Sequence, residues 1–298
     1  LSLVDLTDAF GRGPRVVDTV DVGAGSSSVA ISPDGGTIAV LDGREDVIRF
    51  FTTDGRTLSR SSEAALVGVP SEGATPTTVA FAPAAPLLAV TVIGANGVHF
   101  FEVVGGSGAF GLRPFGAPVQ TGPFPYTGQF TPSGRHFITT NLSWDRSNPE
   151  YLMTAPNTTL SMIEVAPFDA DRPAHRVVST AGAGQNGEGL AISPRGDLLA
   201  VGNLRRSFLR EDDPRFTLGG TLQLVRIDEE AGTLTSGPEV DGPAAPQGLC
   251  FDADGSHVLV TDFEEGVVQV WAVDGLSLRY TGLRVGVGDG AHNVVVIP

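Results

Sequence analysis

Residues Ser26–Asp42 read SSSVAISPDGGTIAVLD, two short runs rich in β-branched residues on either side of a Pro-Asp-Gly step. Serine ahead of Pro-Asp-Gly suits a type I turn with a left-handed glycine exit, so the stretch is predicted to be a β-hairpin. Close variants return at 75–92 (TPTTVAFAPAAPLLAVTV), 125–141 (PYTGQFTPSGRHFITTN), 187–203 (GEGLAISPRGDLLAVGN) and 246–262 (PQGLCFDADGSHVLVTD), and AHNVVVIP (291–298) matches the first half of one more. The turn anchors Pro33, Pro83, Pro132, Pro194, Ala253 and Pro298 fall 45 to 62 residues apart. A small sheet cannot bury both of its faces alone, and a unit recurring at about this period is how stacked blades are written in a sequence. The expectation is an all-β fold in one domain over residues 1–298, a single β-propeller of six blades. Seven would need a further hairpin, and the sequence offers none.

Each hairpin is followed by two more strand-like runs. Blade one continues through DVIRFFT (46–52) to a strand within 57–69, and blade two through VHFFEVV (98–104) to LRPFGAPVQ (112–120). Blade three continues through TLSMIEV (159–165) to AHRVVST (174–180), blade four through TLQLVRI (221–227) to TLTSGPEV (233–240), and blade five through VVQVWAV (267–273) to SLRYTGLRV (277–285). LSLVDL (1–6) and RVVDTVDV (15–22) are expected to pair with the C-terminal strand AHNVVVIP, which would close the ring and remove exposed sheet edges. The glycine runs at 105–108 and 181–184 precede no helix and read as turns.

With 39 glycines, 21 prolines and 41% hydrophobic residues, the composition suits many turns and well-packed sheets. A net charge of −15 would repel nucleic acid and anionic membrane, and no run is long and apolar enough to span a bilayer. The chain is therefore expected to be soluble. It begins at Leu1, which suggests that a leader or tag preceded it; cytoplasm and secretion after leader removal both fit. Cys250, in the apolar run GLCF, is expected to be a buried, inert thiol.

Hairpins of the form SPDG-x-x-LAV-x-N/D followed by a V-x-V strand resemble the lactonase-type and YVTN-repeat β-propeller families across most of the chain. That resemblance implies a propeller and, for some members, cyclic-ester hydrolysis. The Pro-Arg-His that leads into an inner strand in many phosphogluconolactonase-like propellers has no counterpart here.

Inner strands of a propeller start at one face around the axis, so the residues just ahead of them ring the channel mouth. Two positions before the aligned Val29, Val79, Gly128, Leu190, Leu249 and Val294 stand Ser27, Thr77, Tyr126, Glu188, Gln247 and His292, all polar. A carboxylate, an imidazole, a phenol and an amide converging on one mouth are the ingredients of general acid–base chemistry. Against this stands a purely structural role, in which such groups hydrate the entrance and satisfy strand ends. His99, His136, His175 and His257 lie away from the mouth and read as structural.

A second column ends the second strand of each hairpin: Asp42, Val92, Asn141, Asn203 and Asp262. Asx residues there favour turns. Glu188, Asn141, Asn203 and Asp262 also resemble the oxygen-ligand set of the six-bladed gluconolactonase/regucalcin group, which implies a divalent cation such as Ca²⁺ near the axis. Two long loops, 142–158 and 204–220, leave neighbouring blades on the same side and bring Trp144, Tyr151, Phe208 and Phe216 with Arg146, Arg205, Arg206, Arg210 and Arg215. Guanidinium groups and aromatic faces suit a planar, anionic small molecule.

The functional expectation is lactone hydrolysis or the reverse cyclisation, with Glu188 or Asp262 as general base and His292 carrying the second proton. Tyr126, Gln247, Asn203 and Trp144 would contact the substrate, and Arg205 or Arg206 would hold an anionic group. The alternative is a non-catalytic propeller that presents its loop-bearing face to a protein or a ligand.

Overall fold

The computed structural model describes residues 1–5, 15–70, 73–106, 108–288, 290–292 and 294. The recurring hairpin is built as its chemistry dictates. In four repeats the glycine of the turn has a left-handed backbone, with φ of 73° at Gly35, 72° at Gly134, 72° at Gly196 and 76° at Gly255. In each its N–H donates to the carbonyl three residues earlier. The residue before the turn proline, or before Ala253, then accepts the first N–H of the returning strand. These bonds are Thr37 N–H to Ser32 Oγ (2.9 Å), His136 to Thr131 Oγ1 (3.3 Å), Leu198 to Ser193 Oγ (3.1 Å) and His257 to Asp252 Oδ1 (3.0 Å).

The strands follow in chain order. β1 (Ser2–Asp5) and β2 (Arg15–Thr19) form a two-stranded antiparallel sheet. β3 (Ser26–Ile31), β4 (Thr37–Asp42), β5 (Val47–Thr53) and β6 (Leu58–Ala65) make blade one. Blade two is β7 (Thr75–Phe81), β8 (Leu87–Ile93), β9 (Gly97–Gly106) and β10 (Ala109–Pro114), with β11 (Val119–Gln120) also on β9. Blade three is β12 (Pro125–Phe130), β13 (His136–Asn141), β14 (Asn157–Glu164) and β15 (Arg176–Gln185), interrupted by the one-turn helix α1 (Tyr151–Thr154). Blade four is β16 (Gly187–Ile192), β17 (Leu198–Asn203), β18 (Thr221–Asp228) and β19 (Thr233–Asp241), and blade five is β20 (Leu249–Phe251), β21 (His257–Asp262), β22 (Val267–Asp274) and β23 (Ser277–Gly286).

The register repeats with the sequence: Ala30 faces Ala39, Ala80 faces Ala89 and Ala191 faces Ala200. The core lies between sheets. Separate apolar layers join blade one to two, two to three, three to four and four to five. β1–β2 packs through Leu1, Leu3, Val20 and Val22 against Ile38, Val40 and Phe51 of blade one. The arrangement is all-β and propeller-like. The closing strand expected at 291–298 falls largely outside the described residues.

A cavity of about 620 Å³ lies among the inner strands, and Val29, Val79, Gly128, Leu190, Leu249 and Val294, the positions aligned by the repeat, all line it. Cys250 lines it too and is half-exposed rather than buried, because the short inner strand β20 turns alternate residues toward the cavity. Its thiol is pushed up to about 11, by burial first and then by Asp252, which keeps it protonated near neutral pH.

Two strand readings need correction. Ala181–Gly184 is not a turn but part of β15, and a Cβ on Gly184 would lie 2.4 Å from Glu239 Oε2 and 2.7 Å from Asn203 Nδ2. Glycine is there because the strand passes tightly over blade four. The outer strand of blade two is Ala109–Pro114, and most of the expected 112–120 run lies beyond it.

Candidate functional site

The leading polar residues come just ahead of the inner-strand residues that line the cavity and are not themselves part of its lining, whereas the turn prolines Pro83, Pro132 and Pro194 are. Two neighbouring pairs are hydrogen-bonded. Thr77 Oγ1 donates to the Tyr126 carbonyl at 3.1 Å, as do Thr78 Oγ1 at 2.7 Å and Thr91 Oγ1 at 2.9 Å. The Tyr126 side chain feels the charge of Glu188, and Gln247 Nε2 donates to Glu188 Oε2 at 2.8 Å. Blades four and five can come this close because glycines stand between them: a Cβ on Gly189 would lie 2.7 Å from the Gln247 carbonyl, and one on Gly202 would lie 2.2 Å from the Pro246 carbonyl. Ser27 and His292 are exposed.

Glu188 is half-buried, and burial raises its carboxyl above the ordinary glutamate value, partly offset by the Gln247 amide. Burial also raises the Tyr126 phenol, and Glu188 adds to this while Arg146 opposes it. Trp144 stands beside this pair, with ring centroids 5.8 Å from Tyr126, 5.1 Å from Phe124 and 5.3 Å from Tyr151. Arg146 lies over the Phe124 ring at 4.9 Å. The two long loops meet as a wall: Arg215 Nη1 donates to Glu150 Oε1 at 2.9 Å, and Asn186 bonds to both.

The chain holds no lysine, so all 19 of its basic residues are arginines. Of the five in the loops, Arg210 pairs with Asp212, Arg215 with Asp213 and Glu150, and Arg146 covers Phe124. Arg205 and Arg206 have no carboxylate partner among the described residues, and the Nε of Arg206 is buried without a hydrogen bond.

The second column behaves differently from the ring. Asn141 is wholly buried, with Nδ2 donating to Thr159 Oγ1 (3.2 Å) and Ser161 Oγ (3.0 Å) of its own blade. Asn203 is equally buried, with Nδ2 donating to Thr221 Oγ1 at 3.2 Å. Asp262 is 3% exposed, and its Oδ1 accepts the Glu265 N–H at 3.0 Å to close a turn. Burial raises this carboxyl too. The oxygens Asn141 Oδ1 and Asn203 Oδ1 are buried without a donor, the latter under Gly187, and the Asn203 amide also lies against Gly184 of blade three. Among the described residues no three His, Cys, Asp or Glu side chains group to hold an ion. Of the set Glu188, Asn141, Asn203 and Asp262, the two amide nitrogens and the Asp262 carboxylate are bonded to protein groups, and Asn141 Oδ1 and Asn203 Oδ1 are left without a donor. Asn203, expected as a substrate contact, and Asp262, expected as a base, are both buried at the ends of their strands, where neighbouring polar groups bond to them.

The four remaining histidines are held by the scaffold. Burial pushes His99 down to about 4. His175 accepts the Ala166 N–H on Nδ1 at 3.0 Å and sits 2.7 Å from the Phe115 carbonyl through Nε2. His257 meets Asp252 at 2.9 Å, and His136 is buried near Glu229.

These features define a propeller-like β protein with one polar, loop-walled mouth. No described protein family and no curated protein sequence matches the chain. Solved structures do share its fold. Hydrazine synthase from Kuenenia stuttgartiensis superposes with a TM-score of 0.68 at 15% identity, over 94% of this chain and 79% of that one. A functionally unknown protein from Desulfotomaculum acetoxidans gives 0.68 at 14%, over 97% and 79%. A protein from Bacteroides uniformis described as a candidate 6-phosphogluconolactonase gives 0.57 at 14%, over 93% and 89%. At such identities the likeness is one of fold, a distant resemblance to propeller-type lactonase architecture.

Proposed function

We propose that the loop-walled mouth binds a small molecule and opens a cyclic ester, or closes one in reverse. The observation that carries this reading is the half-buried Glu188, whose side-chain partner is an amide rather than a cation and whose carboxyl is raised by burial. Such a group can take a proton from water and return it. The resulting hydroxide adds to the ester carbonyl, and the tetrahedral oxyanion accepts a hydrogen bond from the Tyr126 phenol, which stays protonated because its own value is raised. Collapse breaks the acyl carbon–oxygen bond, and the departing ring oxygen takes a proton from His292. Gln247 holds Glu188 in place, Trp144 offers a ring face, and Arg205 or Arg206 holds an anionic substituent. The distant fold likeness to candidate lactonases agrees with this chemistry. No step passes through a metal.

The alternative is a non-catalytic face that presents the same loops, with Leu218 of the loop 204–220 exposed at 88%, to a protein or a ligand. Turnover of dihydrocoumarin, glucono-1,5-lactone and γ-butyrolactone separates the two. Glu188→Gln and His292→Ala should each abolish hydrolysis without unfolding the protein. Unchanged rates in both variants discard the assigned roles, and no turnover by the parent protein leaves the binding reading.

A further inference from the structure

Both long loops of the mouth meet on the side chain of Asn186. It is wholly buried, with a left-handed backbone at φ 55°. Its Oδ1 accepts the Trp144 indole N–H at 2.8 Å, and its Nδ2 donates to the Leu152 carbonyl at 2.9 Å and the Arg205 carbonyl at 2.8 Å. Its own carbonyl accepts the N–H of Glu188 at 3.0 Å and of Leu204 at 2.9 Å. Phe124 and Ala245, which likewise stand two residues before a ring position, share the left-handed backbone at 61° and 44° but offer no polar side chain. Asparagine tolerates that conformation better than either, so here the backbone requirement and the hydrogen-bonding hub coincide in one residue.

We infer that Asn186 is a positioning residue that fixes Trp144 and both long loops relative to Glu188, so that the aromatic wall and the carboxylate meet a ligand as one unit. The inference rests on the reading of this mouth as the ligand site and adds a specificity element to it. The indole N–H is already bonded to Asn186, so Trp144 meets a ligand through its ring and favours a flat, weakly polar face.

Asn186→Gly keeps the left-handed backbone without steric cost and removes all three side-chain bonds, whereas Asn186→Asp keeps the outline and the acceptor but loses both donors. Both variants are compared with the parent by hydrogen–deuterium exchange, by Trp144 emission in a Trp271→Phe background, and by kcat and KM on dihydrocoumarin and glucono-1,5-lactone. In Asn186→Gly the amides of 142–158 and 204–220 should exchange faster, the emission should move to the red, and kcat/KM should fall on the order of 10–100-fold. Asn186→Asp should recover the emission while the loops stay loosened, and it decides the matter if the glycine variant does not fold. Unchanged exchange and unchanged emission overturn the positioning role. Loosened loops and shifted emission with undiminished turnover uphold the positioning but place the chemistry elsewhere, which overturns the functional reading instead.

Discussion

In blade one the carboxylate that ends the second strand, Asp42, is buried against Arg49, and the same guanidinium reaches Glu45, Glu63 and the Val22 carbonyl. At the entrance of blade four the half-buried carboxylate of Glu188 has Gln247 for a partner. Both regions descend from one repeat, Asp42 at the end of its second strand and Glu188 at the start of its first. On the side of blades one and two those groups are consumed by the protein: Asp42 by Arg49, and Thr77 by the Tyr126 carbonyl. On the side of blades three to five two long loops add aromatic rings, while a carboxylate and two arginines lack opposite charges. Polarity at a propeller mouth is thus weak evidence of function until the partners of each group are known; an acid left with a raised value is stronger evidence.

The sharpest break of this contrast is Arg49→Ala, which strands Asp42 in a nearly dry setting. It should cost about 3–5 kcal/mol of unfolding free energy in a denaturant titration, with any lactone turnover unchanged in protein that remains folded. A loss of turnover at full stability would show that the sealed side also serves the chemistry.

His99 offers a pH test on the same side. Its folded value, about 4, lies below the unfolded value of about 6.5, so its contribution is intact above pH 6.5 and is lost as pH falls through that window. The loss should approach about 3 kcal/mol, and His99→Phe should remove that part of the acid limb of a stability profile.

On the open side, Gly202→Ala forces a methyl against the Pro246 carbonyl and should destabilise the protein by about 1–3 kcal/mol, while spoiling the placement of Gln247. The smallest change expected is Glu188→Gln. A carboxyl whose folded value is raised favours the fold at low pH, and that advantage disappears as pH rises from the unfolded value through the folded one. The variant should flatten this segment of the profile and leave stability at neutral pH equal or slightly higher. A marked loss of stability would mean that Glu188 is a structural acid.

Much of this was written in the sequence. Ser32, Thr131, Ser193 and Asp252 announce the hairpins because a turn of this type needs a capping oxygen at that place, and the aligned first residues do line one cavity. The mouth was legible in part. Tyr126, Glu188, Gln247 and Trp144 come together, but alignment cannot say which way a side chain turns, and Asn141, Asn203 and Asp262 turned into their blades to meet hydroxyls and amides. Asn186 escaped notice because it is a loop residue outside the aligned column. Asn-Gly at a strand entry was the available signal, since that pair favours a left-handed step.

The most direct test needs no substrate. Following side-chain carboxyl resonances of the protein against pH, with Glu188→Gln to assign the signal, should show Glu188 titrating above the ordinary glutamate range. A midpoint at or below that range would contradict the account, because the mouth would then hold an ordinary surface acid.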